Sequence, residues 1–336
     1  MSYRIASFNV HNLSYGSKRD LDWIAQMIKD NEIDIIALQE VLSEGKILTG
    51  SKLKDLSGQA KALDYSLKGR LGKNYEICWR DPQTNSKYYP YLGGDSRGEG
   101  YAFIWNTRKF ELLKDKDGHE ITPVIWRNYK TNTNPGERQI RLIRDPCYGR
   151  FKIKHGKAEI RLITTHIVYG KPKEENLDAD LDFGAVRMRK NEFNILAGKI
   201  YPKISEYHKD VNCCVPYTII LGDYNLNLPS SGVEKSLIQE VACFDEQGHP
   251  VSENDPYCRI YTVQDQLTTI KTDGSDYANN YDHFSYDQRV KDRIIKDSPV
   301  RIEAKAGSTE NGEGKYESYR KMISDHVPIY IEIDFR

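Results

Sequence analysis

The chain has 336 residues, 38% of them hydrophobic, which is enough to bury one large core or two modest ones. Lys+Arg 49 balances Asp+Glu 49, so global charge gives no pull toward nucleic acid, though a local basic groove or a small phosphorylated substrate stays open. No apolar stretch reaches the ~18 residues of a membrane span. None of the six cysteines forms a C-x-x-C pair, so a zinc ribbon is not expected.

In chain order, residues 4–10 read as a buried strand. Residues 20–30 follow with helical spacing, Leu21, Ile24, Ala25 and Ile28 sharing one face. Residues 34–38 are the next strand, completing a strand–helix–strand opening. A polar helix is expected over 52–68. Strands are expected over 75–79, 101–105, 111–113, 139–143, 149–153 and 160–165. Residues 182–201 carry the clearest helical pattern, with Val186, Phe193, Leu196, Ala197 and Ile200 on one face. A short strand at 217–221, a helix at 235–243 and strands at 260–262, 281–286 and 327–335 complete the pattern. Residues 304–317 read as a mobile loop without the G-K-[ST] ending of a P-loop. The elements predict a layered α/β or α+β sandwich in one domain, 1–336.

Polar residues cluster where apolar runs end. Leu221-Gly222-Asp223-Tyr224-Asn225 closes one run, and Ser324-Asp325-His326-Val327-Pro328 opens another. Asp, Asn and Pro also mark turns, but oxygen ligands with an imidazole are the toolkit of metal-assisted phosphoester cleavage. No G-x-S-x-G is present, and Ser324, Asp325 and His326 are contiguous, so a serine-hydrolase triad is not expected.

Seven segments occur in order: Ser7-Phe8-Asn9-Val10, Leu38-Gln39-Glu40-Val41, Gly98-Glu99-Gly100-Tyr101, Thr164-Thr165-His166, Gly222-Asp223-Tyr224-Asn225, Tyr281-Asp282-His283-Phe284 and Ser324-Asp325-His326. Their order, spacing and strand-edge placement resemble the endonuclease/exonuclease/phosphatase superfamily, on its deoxyribonuclease I-like side. The resemblance spans nearly the whole chain. It implies a four-layered α/β sandwich, two mixed sheets packed face to face and flanked by helices.

The resemblance also implies roles. Glu40 is the principal metal carboxylate, with Asn9 orienting it and Asp325 as a further metal-linked aspartate. Asp223 orients water or holds a second metal, and Asn225 donates to a phosphoryl oxygen. His326 is the general base or phosphate contact, oriented by Asp282. His166 is a second active-site histidine, with Glu99 as its partner. Arg144 contacts phosphate, although a surface arginine before a turn fits as well. His283 faces away from the site, and Arg187, Arg189 and Lys190 read as a solvated face. The implied cofactor is Mg²⁺ or Mn²⁺.

The function expected is a metal-dependent phosphodiesterase, a DNA endonuclease with nucleic acid as partner and no membrane. Phosphatase action on an inositol phosphate or nucleotide, sphingomyelinase-like activity and a non-catalytic binding role stay open. The N-terminus shows no long apolar h-region, so no signal peptide is expected and a cytoplasmic location with reduced thiols is. Residues 81–98 interleave Tyr88, Tyr89 and Tyr91 with Lys87 and Arg97, a pattern that grips a nucleic-acid strand or packs a loop.

Overall fold

Period-two alternation of apolar side chains sorts this sequence into layers. The structure, a computed structural model, describes residues 2–13, 19–42, 67–80, 99–114, 117, 122–125, 142, 144–169, 186–206, 214–238, 241–243, 259–304 and 315–335. The strands among them are β1 (Ser2–Leu13), β2 (Ile35–Leu42), β3 (Tyr75–Arg80), β4 (Glu99–Asn106), β5 (Phe110–Leu112), β6 (Val124–Ile125), β7 (Cys147–Ile153), β8 (Ala158–His166), β9 (Val215–Asp223), β10 (Val241–Cys243), β11 (Arg259–Val263), β12 (Asp282–Tyr286), β13 (Val300–Arg301) and β14 (Ile329–Asp334). The helices are α1 (Leu21–Asp30), α2 (Lys68–Leu71), α3 (Val186–Ile195), α4 (Tyr201–Glu206), α5 (Gln288–Lys291) and α6 (Glu317–Met322).

Among the described residues, one sheet has six strands in the order β13-β14-β1-β2-β4-β3. The other has eight, in the order β10-β11-β12-β9-β8-β7-β5, with β6 on β7. Both are mixed: β1–β2 and β8–β9 run parallel and their other neighbours antiparallel. α1 is the crossover between β1 and β2. Asp20 caps it by accepting from the Trp23 amide at 2.9 Å, and Ile24, Ala25, Met27 and Ile28 are its buried face.

Three apolar clusters define four layers. Ile5, Ile35, Phe103, Phe151, Leu162 and Ile331 fill the space between the sheets. Phe8, Leu38, Ile28 and Tyr319 join the six-stranded sheet to α1 and α6. Ile163, Ile220, Phe193 and Ile200 join the eight-stranded sheet to the segment running from α3 through a π-helical turn at Leu196–Ile200 into α4. Each fully buried Ile, Leu or Phe contributes about 1.5–3 kcal/mol, so the sandwich interior dominates stability. No helix among the described residues is long and apolar enough to cross a membrane.

Two readings are corrected. Residues 235–243 are not a helix. Among the described residues, Asn227 donates its backbone N–H to the Ser236 carbonyl and accepts from the Ile238 N–H across a bend at Ser236 with φ 51, and 241–243 is β10. Arg187 and Lys190 are exposed, but Arg189 is only 1% exposed and faces inward. The expected helix over 52–68, the strand over 139–143, the tyrosine-bearing segment 81–98 and the loop 304–317 lie wholly or mostly outside the described residues.

Candidate active site

The strands whose apolar residues fill the inter-sheet core turn polar toward one end. Along β8, Ile160 and Leu162 give way to Thr164 and then His166. Along β9, Ile219 and Leu221 give way to Asp223. On β12, Phe284 precedes Asp282 in the reversed direction. Register aligns the polar ends: His166 pairs with Asp223, and Asp223 with Asp282, so the three occupy one rung across adjacent strands. Below them Gln39 donates to Thr164 at 2.8 Å and lies against Ser7, a buried polar tier between core and mouth.

Two imidazole–carboxylate pairs flank Asp223. The His326 Nδ1 lies 2.8 Å from Asp282, and its Nε2 lies 3.5 Å from Asp223 Oδ2. The His166 Nδ1 lies 3.0 Å from Glu99, and its Nε2 lies 3.4 Å from the same Asp223 oxygen and 3.9 Å from Glu40. Burial alone would favour neutral His326, but Asp282 and Asp223 outweigh it and raise its pKa well above the usual value. Burial pushes the Asp223 carboxyl up, and His326 and His166 only partly offset this. Both directions favour keeping a proton within this pair. Burial would also raise Glu99, but the Arg144 guanidinium at 2.6 Å and the His166 imidazole hold it down to about 2.

Glu40 and Asn9 enter from the facing sheet. The β2–β4 register shifts between Leu38 and Val41, and Glu40 takes φ 59 there, so this bulge turns both Gln39 and Glu40 to the interior. The Asn9 amide bridges the sheets: its Nδ2 donates to Glu40 at 3.0 Å and to Asp223 at 3.1 Å. The Asn12 backbone N–H donates to the other Glu40 oxygen at 3.1 Å. Asp325 lies 2.7 Å from His11 Nδ1 and 3.5 Å from Arg320. Burial opposes its ionisation, yet the His11 hydrogen bond with His326 and Arg320 holds it below the usual carboxylate range.

The sequence-expected residues Asn9, Glu40, Glu99, Arg144, His166, Asp223, Asn225, Asp282, Asp325 and His326 are thus linked in one network. The relation of Asp223 to Asn225 differs from an extended pair sharing a face. The chain leaves β9 at Tyr224, Asn225 takes φ 51, and its N–H closes on Asp223 Oδ1 at 2.9 Å. The Asn225 side chain donates to the Ile167 carbonyl at 2.8 Å. His283 is buried between the Leu226 and Gln264 carbonyls, and burial lowers its pKa, in keeping with a role outside the site.

Sequence reasoning missed His11 and Arg189. His11 sits at φ 43 just past the last regular β1–β2 pair, and only its side chain type marks it in the sequence. Arg189 donates to the Asn225 carbonyl and, at 3.2 Å, to Ser236. Its type, an arginine between the exposed Arg187 and Lys190, gives no sequence signal of burial.

Among the described residues no cluster of three His, Cys, Asp or Glu side chains makes a ready cage for a metal ion. Glu40 is partly exposed, one of its oxygens accepting from the Asn9 side chain and the other from the Asn12 backbone N–H, and Asp223 shares the Asn9 donor. Such a set fits Mg²⁺, which binds through one or two carboxylates plus waters and substrate oxygens.

Solved structures share this architecture end to end. Bacteroides thetaiotaomicron VPI-5482 mannosyl-6-phosphatase Bt3783 is 16% identical over 99% of this chain and 100% of its own, with TM-score 0.53. The human Nocturnin catalytic domain with bound sulfate is 14% identical over 100% and 95%, with TM-score 0.52. D. rerio TDP2 complexed with single strand DNA product is 14% identical over 99% of both chains, with TM-score 0.50. At such identities the likeness establishes the fold. A search of curated protein sequences returns no match. The profile of the endonuclease/exonuclease/phosphatase family matches residues 6–326, from β1 to the His326 that faces Asp282, and the chain belongs to that family.

Proposed function

We propose that the chain is a divalent-cation-dependent phosphodiesterase, a DNA endonuclease that hydrolyses phosphodiester bonds by attack of water. Members of its family are hydrolases of phosphoesters and generally depend on a divalent metal. The observation that carries the reading is the convergence of two imidazole–carboxylate pairs on the buried Asp223 carboxylate, with Glu40 beside them.

Glu40, with Asn9 orienting it and Asp325 as the further carboxylate, is the set that would hold Mg²⁺ or Mn²⁺. The bound ion would supply charge neutralisation at phosphoryl oxygens and at the leaving oxygen. Asp223, with its raised carboxyl pKa, accepts the proton of the attacking water. The water oxygen bonds to phosphorus as the bond from phosphorus to the leaving oxygen breaks. His326, kept cationic by Asp282 and Asp223, stabilises the charge that builds on the phosphoryl group. His166, held at Nδ1 by Glu99, passes a proton to the leaving oxygen. Asn225 and Arg144 complete the phosphate contacts, Arg144 also fixing Glu99.

Supercoiled plasmid incubated with Mg²⁺, Mn²⁺ or EDTA tests this. Cation-dependent nicking, reduced at least about 10²-fold in His326→Ala and Glu40→Ala, is the expected result. Release of phosphate from small phosphomonoesters without nicking would move the assignment to a phosphatase. Turnover unchanged in both variants would place the chemistry elsewhere.

A further inference from the structure

Just beyond the catalytic rung, the chain places an exposed aromatic face. Tyr169 follows His166 by three residues and is 46% exposed, one of three exposed large hydrophobic side chains among the described residues. Its ring lies 6.4 Å from that of Tyr281, tilted by 38°. Tyr281 immediately precedes Asp282, and its carbonyl accepts from the Tyr224 amide at 2.8 Å, between Asp223 and Asn225. The two tyrosines therefore rim the site on the side of Asn225.

Buried Arg189 braces both. Its guanidinium carbon lies 5.0 Å from the Tyr169 ring centroid, and its charge also acts on the nearby Tyr281 hydroxyl. The same group is pinned by the Asn225 carbonyl and by Ser236 at 3.2 Å. An arginine fixed by several partners holds the tyrosine that stacks on it, so little side-chain entropy is lost when a ligand lands on the free face. The brace also selects among ligands. A cation already on one face of Tyr169 disfavours a second cation on the other, which argues against a quaternary ammonium headgroup. A neutral, flat heteroaromatic ring meets no such penalty, and stacking on tyrosine is tolerant of which base it is.

We propose that Tyr169, backed by Arg189 and flanked by Tyr281, is a stacking subsite for the nucleobase next to the scissile phosphate, so that the substrate is a nucleobase-bearing phosphodiester. This rests on the reading of the site as one that takes phosphoesters.

Calorimetric titration in EDTA, where turnover is halted, tests it. The ligands are dithymidine monophosphate and the same diester with abasic sugars in place of both thymidines. The wild-type protein is expected to bind the base-bearing diester about tenfold more tightly or better. The difference should collapse in Tyr169→Ala and persist in Tyr169→Phe, which keeps the ring. Tyr169 is exposed, and matching thermal melts confirm that each variant folds. Equal binding of the two ligands by wild type, or a difference that survives Tyr169→Ala, overturns the subsite. A base preference without plasmid nicking leaves the subsite standing and removes the endonuclease reading, whereas nicking without a base preference does the reverse.

Discussion

One carboxylate oxygen, Asp223 Oδ2, meets the Nε2 atoms of His166 and His326 and the amide of Asn9. Its charge is matched from three directions, so removing any one partner shifts the proton balance of the others. The Glu99–His166–Arg144 arm gives this a pH signature. Glu99 is held at about 2 against an ordinary value of 4.5, so its ionised form contributes stability above pH 4.5. That contribution is lost as pH falls from 4.5 toward 2, and depressed Asp325 acts in the same direction. Glu99→Gln should therefore lower stability at pH 7 by about 2–3 kcal/mol. The gap from wild type should close as pH approaches 2. Urea midpoints measured from pH 7 to pH 2 check this, and a gap that stays constant would remove Glu99 as the titrating group.

At the level of elements, the meeting of β8 and β9 shows how narrow the tolerance is. Gly222 pairs with Thr165 at φ 142, and a Cβ there would lie 2.0 Å from the Thr165 carbonyl oxygen. Gly222→Ala should cost more than about 3 kcal/mol or prevent folding, as backbone strain adds to a clash with backbone rather than with a yielding side chain. Chemical denaturation measures it, and a loss below 1 kcal/mol would show that the strands can part without harm. The strand–helix–strand opening was legible because the buried run in 4–10 and helical spacing in 20–30 are local signals, and packing agrees with them. The bend at 235–236 and the short strand at 241–243 were not legible. Leu237, Ile238 and Val241 have helical spacing, yet Asn227 from another segment captures the backbone. The carboxylates and histidines were legible by their place at strand ends taken together with the resemblance carried by seven ordered segments. Arg189 was not, since its partners Asn225 and Ser236 lie 36 and 47 residues away. Nor was His11, which a positive-φ bend delivers to Asp325.

On the scale of the whole molecule, the candidate site belongs to neither sheet alone. Asn9, Glu40 and Glu99 come from the six-stranded sheet, and His166, Asp223 and Asp282 from the eight-stranded one. Packing of the core that includes Phe103 and Phe151, with ring centroids 5.5 Å apart, sets their separation. Glu40 from one sheet and Asp223 from the other share the Asn9 amide as donor, and a cation bound at Glu40 would add a further tie at this seam. Mg²⁺ or Mn²⁺ should stabilise the fold by RT ln(1 + [L]/Kd), about 2.7 kcal/mol at a hundredfold excess over Kd, and so raise the melting temperature. Glu40→Gln should abolish most of the shift. A melting temperature indifferent to either ion in the wild-type protein would count against Glu40 as a cation ligand.

The rung His166–Asp223–Asp282 also bears on how such a chain can change in length. Side chains on a strand alternate between faces, so adding or deleting one residue inside β8, β9 or β12 inverts everything downstream in that strand. The rung would lose a member to the helix-facing side even though composition and strand propensity were untouched. Length variation among descendants of this sequence is therefore confined to the connections between strands. Two such chains can differ by dozens of residues in their loops and still keep the spacing from each strand's apolar centre to its polar tip.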